Sequence, residues 1–125
     1  MNVLVIDDAR VMRKIISNSI NENYMGACRF FEARDGVEAM EMLLENHIDI
    51  AFVDWNMPNM DGLEFTRNVR DMENYSDLKM IMITSEAARY MVVEAVKAGV
   101  TDYIVKPVVG QKLWGKIERY FPPEQ

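Results

Sequence analysis

The sequence predicts a three-layer α/β fold, in which one parallel sheet carries helices on both faces within a single domain. Three observations carry this. Short apolar runs alternate with segments of helical apolar spacing through five β–α units. Runs such as Ile50-Ala51-Phe52-Val53 and Met80-Ile81-Met82-Ile83 show no polar alternation, as strands covered on both faces require. Polar residues then gather at the C-terminal ends of the runs, and right-handed crossovers would bring those ends to one side of the sheet.

The elements follow in order. Val3 to Ile6 is the first strand, closed by Asp7-Asp8, and Val11, Met12, Ile15, Ile16, Ser19 and Ile20 recur at helical spacing behind it. Cys28 to Glu32 is a weaker second strand. After an Asp35-Gly36 turn, Val37, Met40, Leu43 and Leu44 mark a second helix. Ile48 to Val53 is the third strand, ending at Asp54, and a loop from Trp55 to Asp61 leads to Gly62. Leu63, Thr66 and Val69 give a third helix. Met80 to Ile83 is the fourth strand, ending at Thr84-Ser85, and Ala88 to Ala98 is a helix stopped by Gly99. Tyr103 to Val105, ending at Lys106-Pro107, and Val109 to Tyr120 complete the pattern.

Composition narrows the function. The chain has 125 residues and a formal net charge of -6, the balance of 20 acidic and 14 basic side chains. That length suits one domain with one core. An acidic chain is a poor candidate for gripping nucleic acid, whose phosphates need a basic face. One cysteine, Cys28, allows no internal disulfide, and one histidine, His47, rules out a zinc site built on Cys and His clusters. No apolar run nears the roughly 18 residues of a membrane span. A cytosolic, reduced and soluble protein is the expectation, with no membrane and no nucleic-acid partner.

The strand ends carry the chemistry. Asp7 and Asp8, Asp54, Thr84 and Lys106 all fall where open parallel sheets bind ligands. Three carboxylates brought together repel unless they protonate or a cation neutralises them. Hard oxygen ligands without imidazole or thiolate point to Mg²⁺. A divalent cation, the Lys106 ammonium and the Thr84 hydroxyl around one carboxylate describe a pocket for a phosphoryl group, with the carboxylate as its nucleophile. Each residue also has a plainer reading. Asp7-Asp8 could cap the first helix, and Thr84-Ser85 the fourth. Cys28 reads as a small buried hydrophobe and His47 as an exposed residue after the second helix. Met80 and Met82 read as core, whereas Met57 and Met60 flank Pro58 beside the site.

Taken jointly, Asp7-Asp8, Asp54, Thr84, Tyr103 and Lys106-Pro107 resemble the receiver domain of two-component response regulators, over the whole chain. The stretch Asp54-Trp55-Asn56-Met57-Pro58-Asn59-Met60-Asp61-Gly62-Leu63-Glu64 is especially similar to the chemotaxis regulators of that family. The resemblance implies a flavodoxin-like strand order of 2-1-3-4-5. It implies that Asp54 accepts phosphate from a sensor histidine kinase of the chemotaxis type. Asp8, Asp54 and the Asn56 carbonyl would hold Mg²⁺, with Asp7 acting through water. Lys106 and Thr84 would contact the phosphoryl group, Tyr103 would swing inward behind it, and the Lys106-Pro107 bond would be cis. Asn56 and Glu86 would govern water access to the acyl phosphate. Ala9 and Val108 depart from residues frequent at their positions and leave the chemistry intact.

On the fourth helix, Met91, Val92 and Val93 are consecutive, so they cannot all face a core. With Tyr90, Tyr103 and Trp114 they imply an exposed apolar stripe on the family's output face, and Arg89 and Lys116 would suit an acidic peptide. A flagellar motor switch protein or another protein target, and a phosphatase, are the further partners implied, with a monomer when unphosphorylated. Residues 108–125 suffice for one helix, so an effector domain is not expected. A relay role, passing phosphate to a phosphotransfer protein, is the alternative within the family. Outside it, an aspartyl phosphatase would need an acid where Asn56 stands, and a flavodoxin-like carrier would meet repulsion at Asp7-Asp8.

Overall fold

The structure is a computed structural model that describes residues 1–23, 27–85 and 89–122. Five parallel strands, β1 (Asn2–Ile6), β2 (Arg29–Ala33), β3 (Ile50–Asp54), β4 (Lys79–Thr84) and β5 (Asp102–Val105), form one sheet in the order β2-β1-β3-β4-β5. Five helices connect and follow them: α1 (Arg10–Asn23), α2 (Gly36–Glu45), α3 (Gly62–Arg70), α4 (Arg89–Ala98) and α5 (Gly110–Tyr120). The order is the one implied by the resemblance. Because the order reverses beside β1, the ends of β1 and β3 open onto a crevice.

Side chains alternate across a strand, and here the alternation divides the core in two. Val3 and Val5 of β1, Ile50 and Phe52 of β3, and Ile81 and Ile83 of β4 pack against Ile16 and Ile20 of α1 and Leu113 and Ile117 of α5. Leu4, Ile6, Ala51, Val53, Met80 and Met82 face the other way, onto Ala39 and Leu43 of α2, Phe65 and Val69 of α3, and Ala95 of α4. Burying each large aliphatic or aromatic side chain contributes roughly 1.5–3 kcal/mol before entropy is counted. Both methionines of β4 are core, as expected, while Met57 and Met60 are half-buried.

Several boundaries shift from the sequence reading. β2 runs one residue later than Cys28 to Glu32, because its first pairing is Asn2 with Arg29. Cys28 therefore precedes the strand and is half-buried against the α1–α5 core rather than enclosed. β3 begins at Ile50, and Ile48 is buried in the preceding turn. Among the described residues α4 begins at Arg89, so Ala88 lies outside them. On α1, Val11 and Ile15 belong to the apolar period yet are exposed, while Ile16 and Ile20 are buried. On α2, Val37 and Leu44 are likewise exposed. A short 3-10 turn at Glu73–Tyr75 had no periodic signal to announce it.

Caps and anchors fix the loops. Asp35 caps α2 by accepting the Glu38 N–H at 2.8 Å, and Asp61 caps α3 by accepting the Glu64 N–H at 2.8 Å. Gly99 ends α4 at φ 108°, a left-handed conformation that glycine adopts without strain. Against it lies Arg70, whose guanidinium donates to the carbonyls of Gly99 (2.8 Å), Tyr75 (2.6 Å), Leu78 (2.7 Å) and Ser76 (3.4 Å), and to Thr101 Oγ1 (3.4 Å). This one side chain ties the end of α3 to the end of α4 and to the loop entering β4.

Candidate functional site

The site stands at the C-terminal ends of β1, β3, β4 and β5. Asp54 is the last residue of β3 and is 5% exposed. Asp7 follows β1 and is 2% exposed, while its neighbour Asp8 is exposed. One carboxylate oxygen from each of these three aspartates lies within 4.8 Å of the other two. Lys106, just beyond β5, brings Nζ to 3.2 Å from Asp54 Oδ1. Thr84 ends β4 and is buried, one residue along from the Asp54–Ile83 pairing. The Lys106-Pro107 peptide is cis, as the resemblance implied.

Local structure explains why these groups meet. Asp7 Oδ1 accepts the Ala9 N–H at 2.8 Å, one residue ahead of α1, so it orders the loop rather than capping the helix. Arg13 holds that loop from below: its Nη1 donates to the Asp7 carbonyl at 2.7 Å, and its Nε donates to Glu32 at 3.0 Å. Gly62, the first residue of α3, lies so close to the strand that a Cβ there would collide with the Asp54 carbonyl oxygen. The Gly62 N–H in turn donates to the Trp55 carbonyl at 2.8 Å.

The electrostatics mark the cluster as short of positive charge. Burial pushes the Asp7 carboxyl above its ordinary range, and the Asp54 charge pushes the same way, against the Ala9 N–H. Burial also raises Asp54, outweighing the nearby Lys106 ammonium, with Asp8 adding to the rise. Asp7 Oδ2 is buried and has no hydrogen-bond partner among the described residues. A buried carboxylate with an orphaned oxygen, in a cluster with two further carboxylates, fits a hard divalent cation such as Mg²⁺. Asp7, Asp8 and Asp54 could hold it.

Other residues singled out from the sequence lie around this centre. Asn56 is exposed in the loop after β3, and Trp55 beside it is half-buried. Glu86 lies outside the described residues, as does the side chain of Arg89. Tyr90 and Val93 of α4 and Tyr103 of β5 are exposed, while Trp114 of α5 is half-buried. Lys116 Nζ sits 3.0 Å from Asp102, which also accepts from the Tyr120 hydroxyl at 2.9 Å. His47 is exposed, with Nε2 3.0 Å from Asp49. Sequence reasoning passed over Asp35 and Asn59, whose side chains meet near Asp8. Its only signals were an Asp-Gly turn and an asparagine in a loop.

Comparison with known proteins agrees with this geometry. A family model described as the response regulator receiver domain matches residues 3–118. A "Chemotaxis protein CheY homolog" of Campylobacter jejuni subsp. jejuni is 43% identical over 119 residues, 94% of this chain and 90% of that protein. The "Chemotaxis protein CheY" of Pseudomonas aeruginosa is 41% identical over 121 residues, 97% of this chain and 96% of that protein. Among solved structures, the chemotaxis response regulator CheY4 of Vibrio cholerae superposes with a TM-score of 0.87 at 28% identity, covering 96% of this chain and 98% of its own. An acid cluster and a lysine at the strand ends, on a sheet ordered 2-1-3-4-5, thus coincide with a match along nearly the whole sequence, and the chain belongs to the response regulator receiver domain family, among its CheY-like members.

Proposed function

We propose that this receiver is a phospho-acceptor switch in which Asp54 takes a phosphoryl group from the phosphohistidine of a sensor kinase. The observation that carries the reading is the buried Asp54 carboxylate, 3.2 Å from Lys106 Nζ and ringed by Asp7 and Asp8. An Asp54 oxygen attacks phosphorus in line with the P–N bond of the donor. That bond breaks, its electron pair leaves on the imidazole nitrogen, and an acyl phosphate forms on Asp54. Asp8, Asp54 and the Asn56 carbonyl would hold Mg²⁺, with Asp7 acting through water. When bound, the ion neutralises charge on the phosphoryl oxygens. Lys106 passes from the carboxylate to a phosphoryl oxygen, and Thr84 donates to another. Asn56 and Glu86 set the access of water, so the domain governs its own dephosphorylation without being a turnover enzyme.

The output is a population shift. Contacts from the phosphoryl group to Thr84 and Lys106 form mainly in the state in which Tyr103 turns inward, so phosphorylation shifts the population toward that state by their differential energy. The face of α4, β5 and α5, with Tyr90, Val93, Tyr103 and Trp114 and the basic Arg89 and Lys116, then meets a protein target. The names of the relatives support chemotaxis as the setting. In that setting a flagellar motor switch protein would be the target and a phosphatase a further partner. Incubation with acetyl phosphate and Mg²⁺ should add the mass of one phosphate to the intact protein, and Asp54→Asn should abolish it. Undiminished labelling of that variant would overturn the assignment.

A further inference from the structure

The loop between β3 and α3 is fastened to the start of α2 at two points. Asn59 Nδ2 donates to Asp35 Oδ2 at 2.9 Å. The Met60 side chain packs so tightly over Gly36 that a Cβ there would lie 2.8 Å from it. Asp35 serves both partners at once, because its other oxygen caps α2 through the Glu38 N–H. Asn59 holds a left-handed backbone at φ 68°, which asparagine tolerates better than most residues. The contact joins residues 24 apart in sequence and closes one wall of a pocket of about 400 Å³ lined by Asp8, Arg34, Asp35, Pro58 and Asn59.

From this geometry we propose that the Asp35–Asn59 hydrogen bond is a latch that positions the 55–61 loop, and with it the Asn56 carbonyl, for the divalent cation beside Asp54. The inference rests on the reading of that cluster as a Mg²⁺ site. Asp35 and Asn59 are positioning residues, since neither is a ligand. The chain between Asp54 and Gly62 is pinned at its ends by the strand and by the Gly62 N–H to the Trp55 carbonyl. Its middle is set from outside by Asp35. With the latch broken, the Asn56 carbonyl samples more positions, and the cation must order it on binding.

The test compares Asn59→Gly with the reciprocal swap Asp35→Asn plus Asn59→Asp. Glycine keeps the left-handed backbone and removes the donor. The swap keeps net charge, keeps an N-cap residue at 35, and restores the bond with donor and acceptor exchanged. Mg²⁺ affinity is read from Trp55 fluorescence in a Trp114→Phe background, and exchange of the Met60 and Gly62 amides is read without metal. Asn59→Gly should weaken Mg²⁺ binding about five-fold and speed exchange of those amides, as loss of one hydrogen bond predicts. The swap should return both to within about two-fold of wild type. Unchanged Mg²⁺ affinity and exchange in Asn59→Gly, or a swap as impaired as Asn59→Gly, would overturn the latch. Failure of the wild type to bind Mg²⁺ would instead remove the site reading, and amide exchange would still decide whether the bond holds the loop.

Discussion

Asp7→Asn isolates the electrostatic cost of the acid cluster. Asp7 is buried, with Oδ1 satisfied by the Ala9 N–H and Oδ2 without a hydrogen-bond partner among the described residues. Two more carboxylates lie within 4.8 Å, and a pair of unit charges at that separation repels by about 3 kcal/mol at an effective dielectric of about 20. Lys106 offsets part of this, leaving about 1–2 kcal/mol against the folded state. The asparagine amide keeps the acceptor for Ala9, replaces the orphaned oxygen with a donor and removes one negative charge from the cluster. With about 2.1 cal/mol/K of unfolding entropy per residue, 1 kcal/mol is worth about 4 °C in a chain of this size. Asp7→Asn should therefore raise Tm by about 4–8 °C at pH 7 in chelator, measured by scanning calorimetry. The sign with pH follows from the raised carboxyl of Asp7. A raised acid contributes stability below its ordinary value near ~3.9 and loses it as pH rises through its folded value. The advantage of asparagine should thus grow from pH 4 to pH 7.5. Added Mg²⁺ should narrow it, because the ion stabilises the wild type more. A lower Tm in chelator, or an equal gain at both pH values, would refute the reasoning.

Two further outcomes follow from other parts of the molecule. Burial pushes the Asp102 carboxyl up, but Lys116, the Tyr103 N–H and the Tyr120 hydroxyl outweigh it and hold it below its ordinary range. Its contribution is present above the unfolded value and lost as pH falls through the folded one, so Asp102→Asn should cost about 1–3 kcal/mol at pH 7 in urea melts and much less near pH 3. Gly62→Ala drives a methyl into the Asp54 carbonyl oxygen. It should cost about 2 kcal/mol or more in the same melts and slow labelling from acetyl phosphate, and an unchanged unfolding midpoint would contradict the close approach.

Much of the fold was legible because β1, β3 and β4 are apolar without interruption, a pattern that only burial on both faces explains. The acid cluster was legible for a related reason: charged residues that interrupt such runs at a common end must share a place. What escaped were contacts without a period. Asp35 and Asn59 lie in separate loops, and each alone reads as turn chemistry. Arg70 reads as a solvated residue on a polar helix face until the carbonyls of two other loops are seen to converge on it. The exposure of Val11, Ile15, Val37 and Leu44 was equally hidden, because apolar spacing marks a helix without saying how much of its stripe a neighbour covers.

The Arg70 anchor bears on how this molecule can change. Four of its five partners are main-chain oxygens, at Tyr75, Ser76, Leu78 and Gly99. A carbonyl offers the same acceptor whatever side chain its residue carries. The anchor therefore constrains the path of the 71–78 segment and leaves the identity of residues 75, 76 and 78 open as far as this contact is concerned. Leu78 and Tyr75 are still held by their own packing, Leu78 in the core and Tyr75 through its hydroxyl to the Leu43 carbonyl at 3.0 Å. For the Arg70 contact itself, a substitution leaves the oxygens in place, whereas adding or removing one residue displaces them and unfastens it.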